Sequence, residues 1–127
     1  MSEKYIRHSE GAVRPYLHGG LDLPEFIEYV FNAVEVERVG MGDKSYHVES
    51  RIEDAVVVIE AGELPTTIDP WTSVTLVYVP DVDAAYARAI ERGATSIAEP
   101  VDKPYQERLG GFKDKAGNTW WVSTYTG

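Results

Sequence analysis

The stretch Asp81-Val-Asp-Ala-Ala-Tyr-Ala-Arg-Ala-Ile-Glu-Arg-Gly93 decides how the rest of this chain is read. Val82, Ala85, Tyr86, Ala89 and Ile90 fall at i, i+3, i+4, i+7 and i+8, a single apolar stripe on a helix. Asp81 offers an N-cap oxygen, and Gly93 supplies the left-handed residue that ends the helix. Before it, Val74–Val79 reads as a strand. After it come Ala94–Ala98, Arg108–Lys113 and Thr119–Tyr125, with Gly110-Gly111 and Gly117-Asn118 read as breakers.

The first half repeats that order without repeating its letters. Ala12–His18 reads as a strand, and a helix follows over about Leu23–Asn32. There Asp22 and Glu25 have capping-box spacing, Pro24 sits in the first turn, and Phe26, Ile27, Val30 and Phe31 form the buried side. Val34–Val39, Ser45–Ile52 and Ala55–Glu60 read as three more strands, rich in Val, Ile and Tyr, with turn chemistry between them. Glu63–Thr72 contains two prolines and no period, so it reads as a connector. The fold class is α+β: two βαβββ modules, about 12–62 and 73–125, joined by the connector 63–72 within a single domain. One such unit alone would leave a sheet face bare, whereas two can close a core.

Composition narrows the functions. The chain has 127 residues, 43% hydrophobic and 26% charged, which are values of a folded globular domain. A formal charge of −9 argues against nucleic acid or an anionic membrane as partner. It fits a solvated surface and equally a preference for cations. With no cysteine there is no disulfide, thiol nucleophile or Cys-ligated zinc. The start has no signal-peptide pattern and no apolar run has membrane length, so a soluble, cytoplasmic protein is expected.

Arg14-Pro-Tyr-Leu17, Phe31-Asn-Ala-Val-Glu-Val-Glu-Arg38, His47-Val-Glu-Ser-Arg-Ile-Glu-Asp54, Tyr78-Val-Pro-Asp-Val-Asp-Ala-Ala85 and Lys113-Asp-Lys-Ala-Gly-Asn-Thr-Trp120 occur in that order. Together they resemble the vicinal oxygen chelate (glyoxalase/bleomycin-resistance/dioxygenase) superfamily, over roughly residues 12 to 125. The resemblance implies two βαβββ modules whose curved mixed sheets enclose a cleft, and commonly a homodimer. Metal-dependent members hold a divalent ion with four side chains, usually His, Gln or Glu, from the first and last strands of each module. By alignment those positions here are Arg14, Val58, Val74 and Trp121, and a slip of two brings in Tyr16, Glu60, Leu76 or Ser123. Neither set supplies enough donors for a tight site, since an ion must exchange its hydration for oxygen or nitrogen ligands. The resemblance is therefore to a branch lacking the metal ligands, and no metal or other cofactor is expected.

Strand alternation gives the side chains that share the cleft face. The candidate ligand-binding residues are Arg14, Tyr16, Glu60, Tyr78, Trp121 and Trp71, a mixture of rings and a few charges suited to a flat ligand. Each has a structural reading beside it. Arg14 needs a partner if buried, whether Glu60, Glu49 or an anionic ligand. Of Trp120 and Trp121, alternation sends one beneath a helix. Trp71 either closes one end of the cleft or anchors the connector. His47, Glu49 and Glu60 are candidate acid–base groups, because imidazole titrates near neutrality. His8 and His18 have no companions in the sequence. Gly19-Gly20 and Gly110-Gly111 lack a phosphate-loop pattern and read as turns.

Three functions follow. The first is a metal-free small-molecule binding protein, similar to bleomycin-resistance members that sequester a drug, holding an aromatic and cationic compound. The second is a small-metabolite lyase or isomerase using His47 with Glu49, or Glu60. The third is a dimeric module without ligand.

Overall fold

The computed structural model describes residues 5–127. The first module runs β1 (Tyr16–Gly19), α1 (Leu23–Phe31), β2 (Val34–Gly40), β3 (Ser45–Ile52) and β4 (Ala55–Gly62). The second runs β5 (Val74–Tyr78), α2 (Val82–Glu91), β6 (Thr95–Lys103), β7 (Glu107–Lys113) and β8 (Thr119–Tyr125). Each contributes one four-stranded sheet, in the orders β1-β4-β3-β2 and β5-β8-β7-β6. The first and last strands of each module pair in parallel and the other neighbours are antiparallel. These are the two βαβββ modules expected, as mixed sheets in an α+β fold.

The helices explain why the modules adhere. α1 buries Phe26, Ile27 and Val30, and α2 buries Val82, Ala85 and Ala89. Both stripes join one core with Leu17, Ile59, Phe112, Trp120 and Val122, drawn from both sheets. Ala85 and Ala89 are fully buried, and side chains this small allow α2 to approach α1 closely. Arg88 of α2 donates Nε and Nη2 to the carbonyl of Val30, at 3.2 and 2.8 Å, satisfying an acceptor in the last turn of α1. Among the described residues, no helix is long and apolar enough to cross a membrane.

The turn before β8 forms the other join. The buried Asp114 carboxylate accepts from the backbone N–H groups of Ala116 and Asn118, at 2.9 and 3.0 Å. It also accepts from the Trp120 indole at 2.9 Å and from Asn118 Nδ2. Asn118 Nδ2 reaches on to the His18 carbonyl, at 3.1 Å, and its Oδ1 accepts from Ser73 N–H at 2.9 Å. The Asp-x-x-Gly-Asn sequence is thus a clip that fastens β8 to β1 and β5.

Several expectations are corrected. Asp81 caps α2 through Ala84 N–H, but Asp22 makes no capping bond and already has helical dihedrals, so the capping box does not form. Gly110-Gly111 is no turn: both lie inside β7, where a Cβ on Gly111 would stand 2.5 Å from the Trp121 ring. β1 begins at Tyr16, which leaves Arg14 outside it. β6 continues through Pro100 to Lys103, as an edge strand can where a register shift between Ala98 and Val101 interrupts the ladder. The two sheets stay separate and do not close into one. Among the described residues no strand of one pairs with a strand of the other, and the helices cover one face of each sheet, leaving the opposite face without a helix.

Candidate functional site

Register across the first sheet brings its polar residues together. His47 on β3 lies opposite Glu60 on β4, which lies opposite His18 on β1. One step along, Glu37, Glu49, Val58 and Tyr16 form the neighbouring row. All these side chains alternate with the buried set, Leu17, Val48 and Ile59, and so face away from the helices.

Tyr16, Glu60 and Trp71 meet at one concavity of about 340 Å³. Tyr16 donates its hydroxyl to Glu60 at 2.9 Å. The Trp71 ring lies 5.1 Å from Tyr16 and 5.3 Å from His18, centroid to centroid. Met41, Leu64, Pro65 and Ile68 supply apolar parts of the wall, with Ser45 and Glu63 beside them. Trp71 serves both readings given to it: it lines the concavity, and its indole N–H also donates to the Tyr16 carbonyl at 2.9 Å, anchoring the connector. Ser73 Oγ donates to the same carbonyl at 2.7 Å. The outer edge of β1 is thereby occupied by the chain itself.

His47 stands behind the concavity with both ring nitrogens engaged. Nδ1 lies 2.8 Å from Glu60 and Nε2 3.0 Å from Glu49. Burial lowers the imidazole pKa, but hydrogen bonds and charge from Glu49 and Glu60 outweigh it, leaving the pKa above the ordinary 6.5. The Tyr16 phenol is raised by burial and by its bond to Glu60. Tyr16, Glu60, His47 and Glu49 form one hydrogen-bonded chain.

The other sequence candidates lie elsewhere. Arg14 pairs with Glu49 at 3.2 Å, one of the alternatives left open, and also donates to the carbonyls of Gly11 and Glu10 at 2.7 and 2.8 Å. Its guanidinium is thus committed within the protein, outside the Tyr16–Trp71 concavity. Tyr78 and Trp121 lie on the open face of the second sheet. There Tyr78 donates to Glu107 at 2.5 Å, and Ser123 Oγ donates to the same carboxylate at 2.7 Å. Trp121 lies against Gly111, whereas Trp120 is fully buried 4.9 Å from the Phe31 ring. Alternation therefore separates the two tryptophans as expected.

Two participants escape the sequence reading. His8 is not isolated: its Nε2 lies 3.0 Å from Glu37 and 3.2 Å from Glu49. Glu37 shares a face with Glu49 because a bulge between Glu35 and Glu37 shifts the register of β2. The Val34-Glu-Val-Glu37 alternation is the one signal that could have drawn attention to Glu37. For His8, which precedes the periodic segments, the sequence offers no signal.

At the aligned positions the side chains are poor ligands for the fold family's metal. Register sets Tyr16 against Val58 and Leu76 against Trp121, so the adjacent first- and last-strand positions are two residues on from Arg14 and Val74. A phenol, two aliphatic side chains and an indole are a poor donor set for a divalent ion. His8, Glu37 and Glu49 have ligand atoms within 4.8 Å of one another. Those carboxylates are already bound by cations, Glu37 by Arg7 and Glu49 by Arg14.

Comparison with known proteins converges on the same architecture. The profile of the Glyoxalase/Bleomycin resistance protein/Dioxygenase superfamily matches residues 24–122. An uncharacterized protein of Mycobacterium bovis is 32% identical over 107 residues, covering 76% of this chain and 70% of its own length. An uncharacterized protein of Mycobacterium tuberculosis has the same identity over 107 residues, and there the match spans 62% of the relative. The crystal structure of TioX from Micromonospora sp. ML1 superposes with a TM-score of 0.68 at 20% identity, covering 90% of this chain and 95% of that one. The fosfomycin resistance protein FosX from Mesorhizobium loti gives 0.61 at 23% identity, covering 93% and 92%.

Proposed function

Given that this chain belongs to the glyoxalase/bleomycin resistance protein/dioxygenase superfamily, we propose that it is a small-molecule binding protein that works without a metal and takes an aromatic, cationic ligand. The observation that carries this reading is the concavity at Tyr16, Trp71 and Glu60. Two rings 5.1 Å apart form a platform for a flat ligand, and Met41, Leu64 and Ile68 add apolar surface that a ligand would cover. Glu60, hydrogen-bonded to Tyr16 beside the rings, supplies a counter-charge that fixes orientation, and Glu63 adds a second carboxylate at the margin. Sequestration needs affinity and no reacting group, so the unsuitable donors at the family's metal positions are no obstacle.

Benzamidine, an aromatic amidinium, tests the reading, with benzyl alcohol as its neutral counterpart. Quenching of tryptophan fluorescence should saturate with benzamidine and be much weaker with benzyl alcohol. Trp71→Phe should retain the binding and lose most of the optical change. Equal responses to both compounds, or binding only after loading with a divalent metal, would overturn the proposal.

A second reading has its own support. The chain Tyr16–Glu60–His47–Glu49 could relay a proton in a lyase or isomerase reaction. Under it, His47→Gln should abolish turnover of a small metabolite while leaving the fold intact. Full activity in that variant would reject the pair as the acid–base group.

A homodimer belongs to either reading. Val74, Leu76 and Tyr78 alternate along β5 with 74%, 48% and 55% of their surface exposed, an apolar strip that a second copy would cover. Light scattering should give twice the chain mass, and Leu76→Glu should return it to one.

A further inference from the structure

We infer that residues 5–14 form a strap, latched by Arg7 and His8 onto Glu37 and Glu49, that sets the length of ligand the site accepts. The inference rests on the binding function proposed above. The segment crosses the open face of the first sheet, beside the Tyr16–Glu60 concavity. At its far end Arg7 forks onto the Glu37 carboxylate, with Nε at 2.6 Å, and His8 lies between Glu37 and Glu49. Midway, Glu10 pairs with Arg51 at 3.0 Å, and Gly11 lies against Val56. At the near end Arg14 gathers the segment, donating to the carbonyls of Arg7, Glu10 and Gly11 while paired with Glu49. Arg14 is thus a positioning residue for the strap.

The two ends differ in how firmly they are held. Arg14 has 15% of its side chain exposed and four acceptors, whereas Arg7 is 60% exposed. Opening the Arg7 end gives up its largely exposed ion pair with Glu37 and the Arg14 bond to the Arg7 carbonyl, while Arg14 keeps Glu49, Glu10 and Gly11. Gly11, at φ +73°, adopts a backbone that other residues rarely take, which puts a natural hinge between latch and anchor. Beneath the latch, Glu37 and Glu49 are a cross-strand pair of like charge that needs a cation. In the closed state Arg7 and Arg14 supply it. One imidazole, His47, separates Glu49 from Glu60, so an opened strap would join the carboxylate pair to the aromatic concavity as one longer site. The ligand class that distinguishes the states is a dication with two amidinium groups on a linker, against a short monocation.

Pentamidine, a bis-benzamidine, and benzamidine itself are the probes, and the proteins are the full chain and its Arg7→Ala/His8→Ala variant. Removing the latch should tighten pentamidine by at least about tenfold, because the second amidinium then binds intramolecularly. Benzamidine, confined to Tyr16, Trp71 and Glu60, should be unchanged. If benzamidine binds both proteins and pentamidine gains nothing, the strap does not limit the site. If benzamidine binds neither, the binding function fails instead, and hydrogen exchange decides the strap alone. Residues 5–11 should be protected in the wild type and lose that protection in Glu37→Gln. Equal exchange in the two proteins would overturn the latch.

Discussion

Trp71 donates its indole N–H to the backbone carbonyl of Tyr16 at 2.9 Å, while the two ring centroids lie 5.1 Å apart with their planes tilted by 38°. One residue of an aperiodic connector therefore fixes both the edge of β1 and one wall of the concavity. Trp71→Ala removes the wall and leaves a backbone acceptor that Ser73 Oγ still serves. Stacking against an aromatic ring contributes about 0.5–1.5 kcal/mol beyond area burial. Binding of benzamidine, measured by calorimetry, should weaken by about three- to tenfold in a variant with wild-type circular dichroism. An unchanged affinity would remove Trp71 from the site.

Glu60 separates charge recognition from shape recognition. Glu60→Gln keeps the size of the side chain and its acceptor for the Tyr16 hydroxyl while removing the charge. Charge-assisted hydrogen bonds are roughly twice as strong as neutral ones. The variant should therefore lose affinity for benzamidine by about tenfold and leave the weak response to benzyl alcohol unaltered. Parallel losses for both compounds would show that Glu60 shapes the concavity and does not read charge.

Asp114 is tested through stability, since nothing places it near the ligand. It is 6% exposed and accepts from two backbone N–H groups, an amide and an indole. Asp114→Ala leaves the buried Trp120 Nε1–H without its acceptor, and an unsatisfied buried donor costs about 1–3 kcal/mol. Together with the loosened turn, the urea midpoint should fall by the equivalent of about 3 kcal/mol. Asp114→Asn, which keeps one acceptor oxygen, should fall by less. A midpoint within error of the wild type would contradict the role of the clip.

Much of the fold was legible because its signals are local. The i, i+3, i+4 stripe of α2, its Asp81 cap and the Val-rich strands need only neighbouring residues to be read. Gly110 and Gly111 misled because a glycine pair reads as a break, whereas here the absent side chains admit the Trp121 ring and Pro100. The site was legible only in part, for a related reason. Alternation puts Tyr16, His47 and Glu60 on one face, but it says nothing of which strands are neighbours. That His47 bridges Glu49 and Glu60 depends on the β3–β4 register, and that His8 joins them depends on a segment crossing the sheet. The separation of Tyr78 and Trp121 from Tyr16 is a matter of how the modules pack, which no periodicity carries.

His47 makes a prediction whose sign follows from its surroundings. Its pKa in the folded protein lies above the ordinary 6.5 because Glu49 and Glu60 outweigh the effect of burial. A group whose pKa is raised on folding stabilises the protein fully below its unfolded value, and that contribution is lost as pH rises through the folded value. Between pH 5 and pH 9, in steps followed by urea unfolding, the wild type should lose stability from about pH 6.5 upward. In His47→Gln that segment of the profile should flatten, because the glutamine amide does not titrate. Other groups titrating in this range are shared by both proteins, so the difference between the two curves isolates the imidazole. If the curves run parallel across the interval, the two carboxylates do not hold the proton on His47. The relay that the enzymatic reading requires would then lose its charged intermediate.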